Sequence, residues 1–257
     1  MLTILDERYV EILEILDKHC NLSEFLSPDN FYEYITEPLK NSSLVNWTYD
    51  NGSTKLVLIL KGMKSVIKIP FDGCERYYCD GDWGATCQKD KSLPKNDYFS
   101  QCCECSRDCP RRGSDSPMEF CGSIGESAWD YCEAETIYYN MACQTGIETF
   151  FAKTWKIGEV QGRPIYAQVR AEMFEGVSSS KQYAKNKTQP IEDFCNENNF
   201  YCFNEYWLVD FADYFGKDSL EKLLLFIEEE GIRDLHDGNI GYVDGVPVLV
   251  DYSGFSH

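Results

Sequence analysis

Ile232-Arg233-Asp234-Leu235-His236-Asp237-Gly238-Asn239 is followed directly by Ile240-Gly241-Tyr242-Val243, Asp244-Gly245, Val246-Pro247-Val248-Leu249-Val250 and then Asp251-Tyr252-Ser253-Gly254. Two short β runs, Ile240–Val243 and Val246–Val250, flank an Asp-Gly pair, the residue combination that favours a tight hairpin turn. Ahead of the hairpin, Asp234 and Asn239 stand five residues apart, and Asp251 ends its second strand. Phosphoryl transfer uses such a set. One carboxylate orients an acceptor hydroxyl, while an amide oxygen and a second carboxylate hold Mg²⁺ against nucleotide phosphates. The plain alternative is a helix that ends in a polar turn before an ordinary hairpin.

Working outward, Ser219–Glu230 reads as a helix with Ser219 as its N-cap, and Ile191–Phe215 as helical before it. The segment 176–189 is polar and reads as a loop. Phe150–Glu159 and Arg163–Phe174 read as strands around Gly162, and Ser127–Ala142 as a helix ended by Gly146. Further upstream, Leu44–Thr48, Thr54–Leu60 and Ser65–Phe71 are β-rich runs. Turns at Tyr49–Gly52 and Lys61–Lys64 join them into an antiparallel meander. Residues 1–40 look helical, with Tyr9, Ile12, Leu13 and Leu16 on one face. The order is helix, strands, helix, strands, helices, hairpin, so the fold class is α+β.

The segment Asp234–Asn239 together with Asp251 resembles the catalytic loop and metal-binding strand of the protein-kinase-like superfamily. The similarity is greatest to its aminoglycoside phosphotransferase branch, with a D-L-H-x-x-N core. The resemblance implies a bilobal fold: a helical extension over 1–43, an N-lobe over 44–175, and a reduced helical C-lobe over 176–257. It implies ATP and Mg²⁺ as cofactors, Asp234 as the catalytic base, Asn239 as a metal ligand and Asp251 as the principal Mg²⁺ ligand. Lys68, in Ser65-Val66-Ile67-Lys68-Ile69-Pro70-Phe71, takes the place of the phosphate-binding strand lysine. Glu135 takes that of its helical carboxylate partner, with Glu133 as the alternative. The strand Ile165–Val169 with Arg170–Phe174 becomes the hinge that binds adenine.

The chain departs from that pattern in three places. No glycine-rich loop is present; Asp50-Asn51-Gly52-Ser53-Thr54-Lys55 has one glycine, which leaves Thr54 and Lys55 as candidate phosphate contacts. The usual His-Arg-Asp and Asp-Phe-Gly become Ile232-Arg233-Asp234 and Asp251-Tyr252-Ser253. The sequence runs only six residues past Asp251, so an ordinary protein kinase with an activation segment is not expected, and a partner or second copy is left to complete the C-lobe. The Gly-x-Thr-Lys, Ile-Lys-Ile-Pro-Phe and Asp-Leu-His-Asp-Gly-Asn-Ile-Gly segments are similar to those of short kinase-like proteins of phages and mobile elements. The expected function is an ATP·Mg²⁺-dependent phosphotransferase. The alternative is an inactive, pseudokinase-like protein that binds a host protein through an acidic surface.

Composition narrows the partners. The formal charge is −19, which repels phosphate backbones and anionic membranes. No apolar run approaches the ~20 residues of a membrane span, and the N-terminus lacks the pattern of a signal peptide. The expected location is therefore the cytosol. The adjacent His236-Asp237 pair would suit a metal-dependent phosphohydrolase. That chemistry needs further histidines, and the chain has only His19, His236 and His257, so it is not expected.

Of the 13 cysteines, Cys74, Cys79, Cys87, Cys102, Cys103, Cys105, Cys109 and Cys121 lie in a Gly/Ser/Asp/Pro-rich insertion at 72–124. Cys102 and Cys105 form a CxxC pair with Cys109 four residues on. With Cys121 they make a candidate structural Zn²⁺ set; reduced thiols and disulfides are the other readings. Cys20, Cys132, Cys143, Cys195 and Cys202 read as buried small apolar side chains.

Overall fold

The computed structural model describes residues 7–28, 30–52, 54–72, 131–173, 185–197, 200, 207–232, 235 and 237–253. The fold is α+β, as the element order suggests, with six α-helices among those residues. The chain groups into two compact units. The first comprises 1–134 with 155–168 and His257, the second 135–154 with 169–256.

The first unit is built on a five-stranded sheet in the order β1-β2-β3-β5-β4. Its strands are β1 (Trp47–Asn51), β2 (Lys55–Leu60), β3 (Ser65–Pro70), β4 (Thr154–Val160) and β5 (Arg163–Val169). β1, β2 and β3 form the expected antiparallel meander, with Leu58 opposite both Tyr49 and Ile67. The turn does not fall at Tyr49–Gly52. Tyr49 pairs with Leu58 and its ring meets Phe31 edge-on at 5.6 Å, so strand pairing continues to Asn51.

Helix α1 (Glu7–His19) buries Ile12 and Leu16 of the periodic stripe together with Ile15, while Tyr9 and Leu13 pack partly buried at the core's edge. These join Leu56, Leu58, Ile67, Ile69, Ile165 and Ala167 in one core. The helical reading of 1–40 is otherwise interrupted. A π-helical turn at Tyr32–Thr36 leads into the short α2 (Glu37–Lys40).

Because side chains alternate across a strand, Lys68, Tyr166 and Gln168 occupy the sheet face opposite that aliphatic core. All three are buried. Gln161, in the β4–β5 turn at φ 52°, holds the end of α1. Its Oε1 accepts from the Leu22 and Ser23 amides, and its Nε2 donates to the carbonyls of Asp17 and Cys20. The Asp17 carbonyl is among those that a helix C-terminus leaves without intrahelical partners.

The second unit holds most of α3 (Tyr131–Thr145). That helix ends where Gly146, at φ 75°, turns the chain and the Ile147 amide donates back to the Ala142 carbonyl. A three-stranded sheet follows, in the order β6 (Glu172–Met173), β7 (Ile240–Val243), β8 (Val246–Leu249). The segment expected as one strand to Phe174 thus breaks after Val169, and Glu172–Met173 pairs with Tyr242 and Gly241 instead. Only glycine suits position 241, because a Cβ there would lie 2.7 Å from the Ala171 Cβ and 3.1 Å from the Glu172 carbonyl oxygen.

The helices here are α4 (Lys185–Glu197), α5 (Trp207–Phe215) and α6 (Lys217–Glu229). Phe150, Trp207, Phe211 and Phe215 form an aromatic cluster, Phe150 stacking on Phe211 at 5.9 Å. Gly216 at φ 82° makes the corner between α5 and α6 and is the N-cap of α6, so Ser219 lies inside the first turn and is not the cap. Cys20, Cys132 and Cys195 are buried as expected, whereas Cys143 is exposed. Burial pushes the Cys20 thiol up to about 12. Cys202 lies outside the described residues, and no described helix is long and apolar enough to cross a membrane.

Candidate functional site

The hairpin read from Asp244-Gly245 forms with both turn residues at positive φ, 51° and 83°. Its register pairs Ile240 with Leu249 and Val243 with Val246. The pairing runs one step further, because the Val250 amide donates to the Asn239 carbonyl at 2.9 Å. Asn239, which ends a 3₁₀ turn at Asp237–Asn239, and Asp251 therefore stand at the same open end of the hairpin. Both are partly exposed, and the Ser253 hydroxyl donates to Asp251 Oδ1 at 3.3 Å.

Between Asp251 and Ser253 the chain is anchored. Tyr252 is 0% exposed, and its ring meets Phe151 edge-on at 4.9 Å. Its hydroxyl donates to the Ala152 carbonyl at 2.8 Å and lies 3.1 Å from Thr154 Oγ1. Thr154 in turn donates to Glu135 Oε2 at 3.1 Å, and Glu135 is 0% exposed. Glu133, the alternative carboxylate, is exposed. Tyr138 and Ala142, three and seven residues after Glu135, bury the same side of α3. Thr154 begins a strand as many β-branched residues do, so nothing local marked it. The local sign for Tyr252 was a hydroxyl-bearing ring directly after Asp251, in Asp251-Tyr252-Ser253.

In the first unit, Lys68 sits on the central strand β3 opposite Val57 and is 3% exposed, so it is not a solvated edge lysine. Lys55, at the start of β2, is also buried. Thr54 is half-buried, and its carbonyl accepts from the Phe71 amide at 2.8 Å. Thus Lys68, Lys55 and Thr54 belong to the first unit, and Glu135, Asn239 and Asp251 to the second. Asp234 lies outside the described residues, as do Cys102, Cys105, Cys109 and Cys121. Among the described residues, no group of three His, Cys, Asp or Glu side chains could hold a metal ion.

Tyr242 of β7 donates to Asp210 Oδ2 of α5 at 2.9 Å. Burial first, and then this carboxylate, push its phenol well above the usual tyrosine range. A group whose value is raised on folding contributes stability that is complete below its unfolded value and is lost as pH rises through the folded one. Stability should therefore hold up to roughly pH 10, the ordinary tyrosine value, and fall above it. Tyr242→Phe should make that alkaline fall shallower in urea unfolding curves taken across the range. Tyr138 and Tyr139, raised mainly by burial, leave a residual slope of the same sign.

Comparison with protein-family models, curated proteins and solved structures returns no match for this chain.

Proposed function

We propose that this protein is a kinase-like phosphotransferase that binds ATP with Mg²⁺. The observation that carries the reading is the hairpin register, with Asn239 and Asp251 at one partly exposed end. Two oxygen-bearing side chains at one partly exposed end suit Mg²⁺, which binds hard oxygen ligands and keeps several of its waters. Buried Lys68 on a central strand and buried Glu135 on the following described helix add support. A cation and a carboxylate are costly to bury, so their placement calls for a role beyond solubility.

Within this reading Asn239 and Asp251 hold the metal, Lys68 and Glu135 position the nucleotide, and Asp234 orients the acceptor. The bound Mg²⁺ would neutralise charge on the phosphates. The expected turnover follows from these roles. ADP release by the wild type should fall about 10²–10⁴-fold in Asp234→Ala, the usual effect of a positioned base, with ATP·Mg²⁺ affinity and fold retained. Equal, background-level ADP release from both proteins would favour the second reading.

That second reading is an inactive, pseudokinase-like binder of a basic host protein. The charge of −19 and the single glycine between β1 and β2 favour it. A structural zinc in the cysteine-rich insertion is compatible with either reading.

A further inference from the structure

From the buried hydroxyls beside Asp251 we infer that Tyr252 and Thr154 are positioning residues that fix the chain at Asp251 relative to Glu135. The inference rests on the nucleotide reading above and deepens it. Asp251 lies at the end of a hairpin, where one more residue of slack would let the chain at Asp251 drift from the end it shares with Asn239. The next residue removes that slack. Tyr252 is buried, held edge-on against Phe151, and hydrogen-bonded through its hydroxyl to the Ala152 carbonyl.

Two hydroxyl protons serve four contacts here, the longest from Thr154 Oγ1 to the Ala152 carbonyl at 3.4 Å. Thr154 donates its proton to Glu135 Oε2, and the Tyr252 proton is within reach of both the Ala152 carbonyl at 2.8 Å and Thr154 Oγ1 at 3.1 Å. A move of the Glu135 carboxylate therefore redirects Thr154, and Thr154 redirects Tyr252. The α3 carboxylate and Asp251 are thereby set together. Buried polar chains of this kind are stiff when satisfied and costly when broken. A phenylalanine at 252 would fill the same volume but could not take part.

The test measures ATP affinity with and without Mg²⁺, and amide exchange at Val250–Ser253 without nucleotide, in wild type, Tyr252→Phe, Thr154→Val and the double variant. Each single variant is expected to lower Mg²⁺-dependent affinity about tenfold, with Mg²⁺-free affinity unchanged. The double variant should add little, since both residues act in one chain. Thr154→Ser, which restores the hydroxyl, should recover most of the loss. Exchange at Val250–Ser253 should quicken about tenfold in both single variants.

Wild-type Mg²⁺ dependence and unaltered exchange in both single variants would overturn the inference and leave the nucleotide reading standing. No Mg²⁺-dependent binding by the wild type would remove that reading, and with it the positioning role. Faster exchange in the variants would then show a purely structural coupling. Should Tyr252→Phe fail to fold, Thr154→Val decides the matter by the same readouts.

Discussion

Arg163→Ala is expected to destabilise the first unit by about 3–5 kcal/mol, the cost of breaking a buried ion pair from one side. Arg163 is 9% exposed at the start of β5. Its Nε donates to the Leu22 carbonyl at 3.0 Å, Nη1 to the Pro70 carbonyl at 3.0 Å, and Nη2 to the Glu24 carbonyl at 2.9 Å. Nη2 also pairs with the Asp72 carboxylate. Asp72 accepts from the Leu26 amide at 2.9 Å and returns its own amide to the Leu26 carbonyl. One guanidinium thus ties the connection after α1 to the ends of β3 and β5.

Alanine would leave three carbonyls and a carboxylate without that donor. Arg163→Lys keeps the charge but loses the planar fork, and should recover only part of the loss. Urea unfolding followed by tryptophan fluorescence reads the effect, since Trp47 and Trp155 both pack on the first unit's core. A change below about 1 kcal/mol, the value of an exposed pair, would mean that the clamp is not a structural element.

That clamp also marks the limit of what the sequence made legible. Features written in neighbouring residues could be read directly. Asp244-Gly245 makes the hairpin, Gly146 ends α3, and Ile12 and Leu16 of the periodic stripe are buried on α1. Features that join residues far apart in the chain could not be read. Arg163 appeared only as the start of a strand, yet its partners lie 91 to 141 residues away. Gln161 stands beside the Gly162 turn with nothing local to mark it, and its partners are 138 to 144 residues distant.

The misplaced turn in β1 and the wrong N-cap of α6 have a shared cause. The turn expected over Tyr49–Gly52 starts only at Gly52, and the cap expected at Ser219 lies at Gly216, each displaced by a neighbour. Cross-strand pairing carried β1 past Tyr49, and Gly216 supplied a corner that no L-residue would take readily. At the candidate site the hairpin, and the place of Asp251 at its end, were legible from spacing. Thr154 was not, because its meaning comes from α3 and from the chain beyond Asp251.

Asp251→Asn has the second large expected effect, and it falls on function. The substitution keeps shape and an acceptor oxygen but removes the charge on which a divalent cation depends most. Ser253 can still donate to the amide oxygen, and Tyr252 still anchors the chain, so the fold should persist. Mg²⁺-dependent ATP binding should fall at least tenfold, whereas any Mg²⁺-free nucleotide binding should stay near that of the wild type.

The most direct measurement is a thermal-shift titration of wild type and Asp251→Asn with ATP, with and without Mg²⁺. Ligand at about a hundred times Kd adds roughly 2.7 kcal/mol. At this size that corresponds to a rise of roughly 5–10 °C. The expected result is such a rise in the wild type only when Mg²⁺ is present, and its loss in Asp251→Asn. No shift in the wild type, or an equal Mg²⁺-dependent shift in both proteins, would contradict a metal–nucleotide site at Asp251.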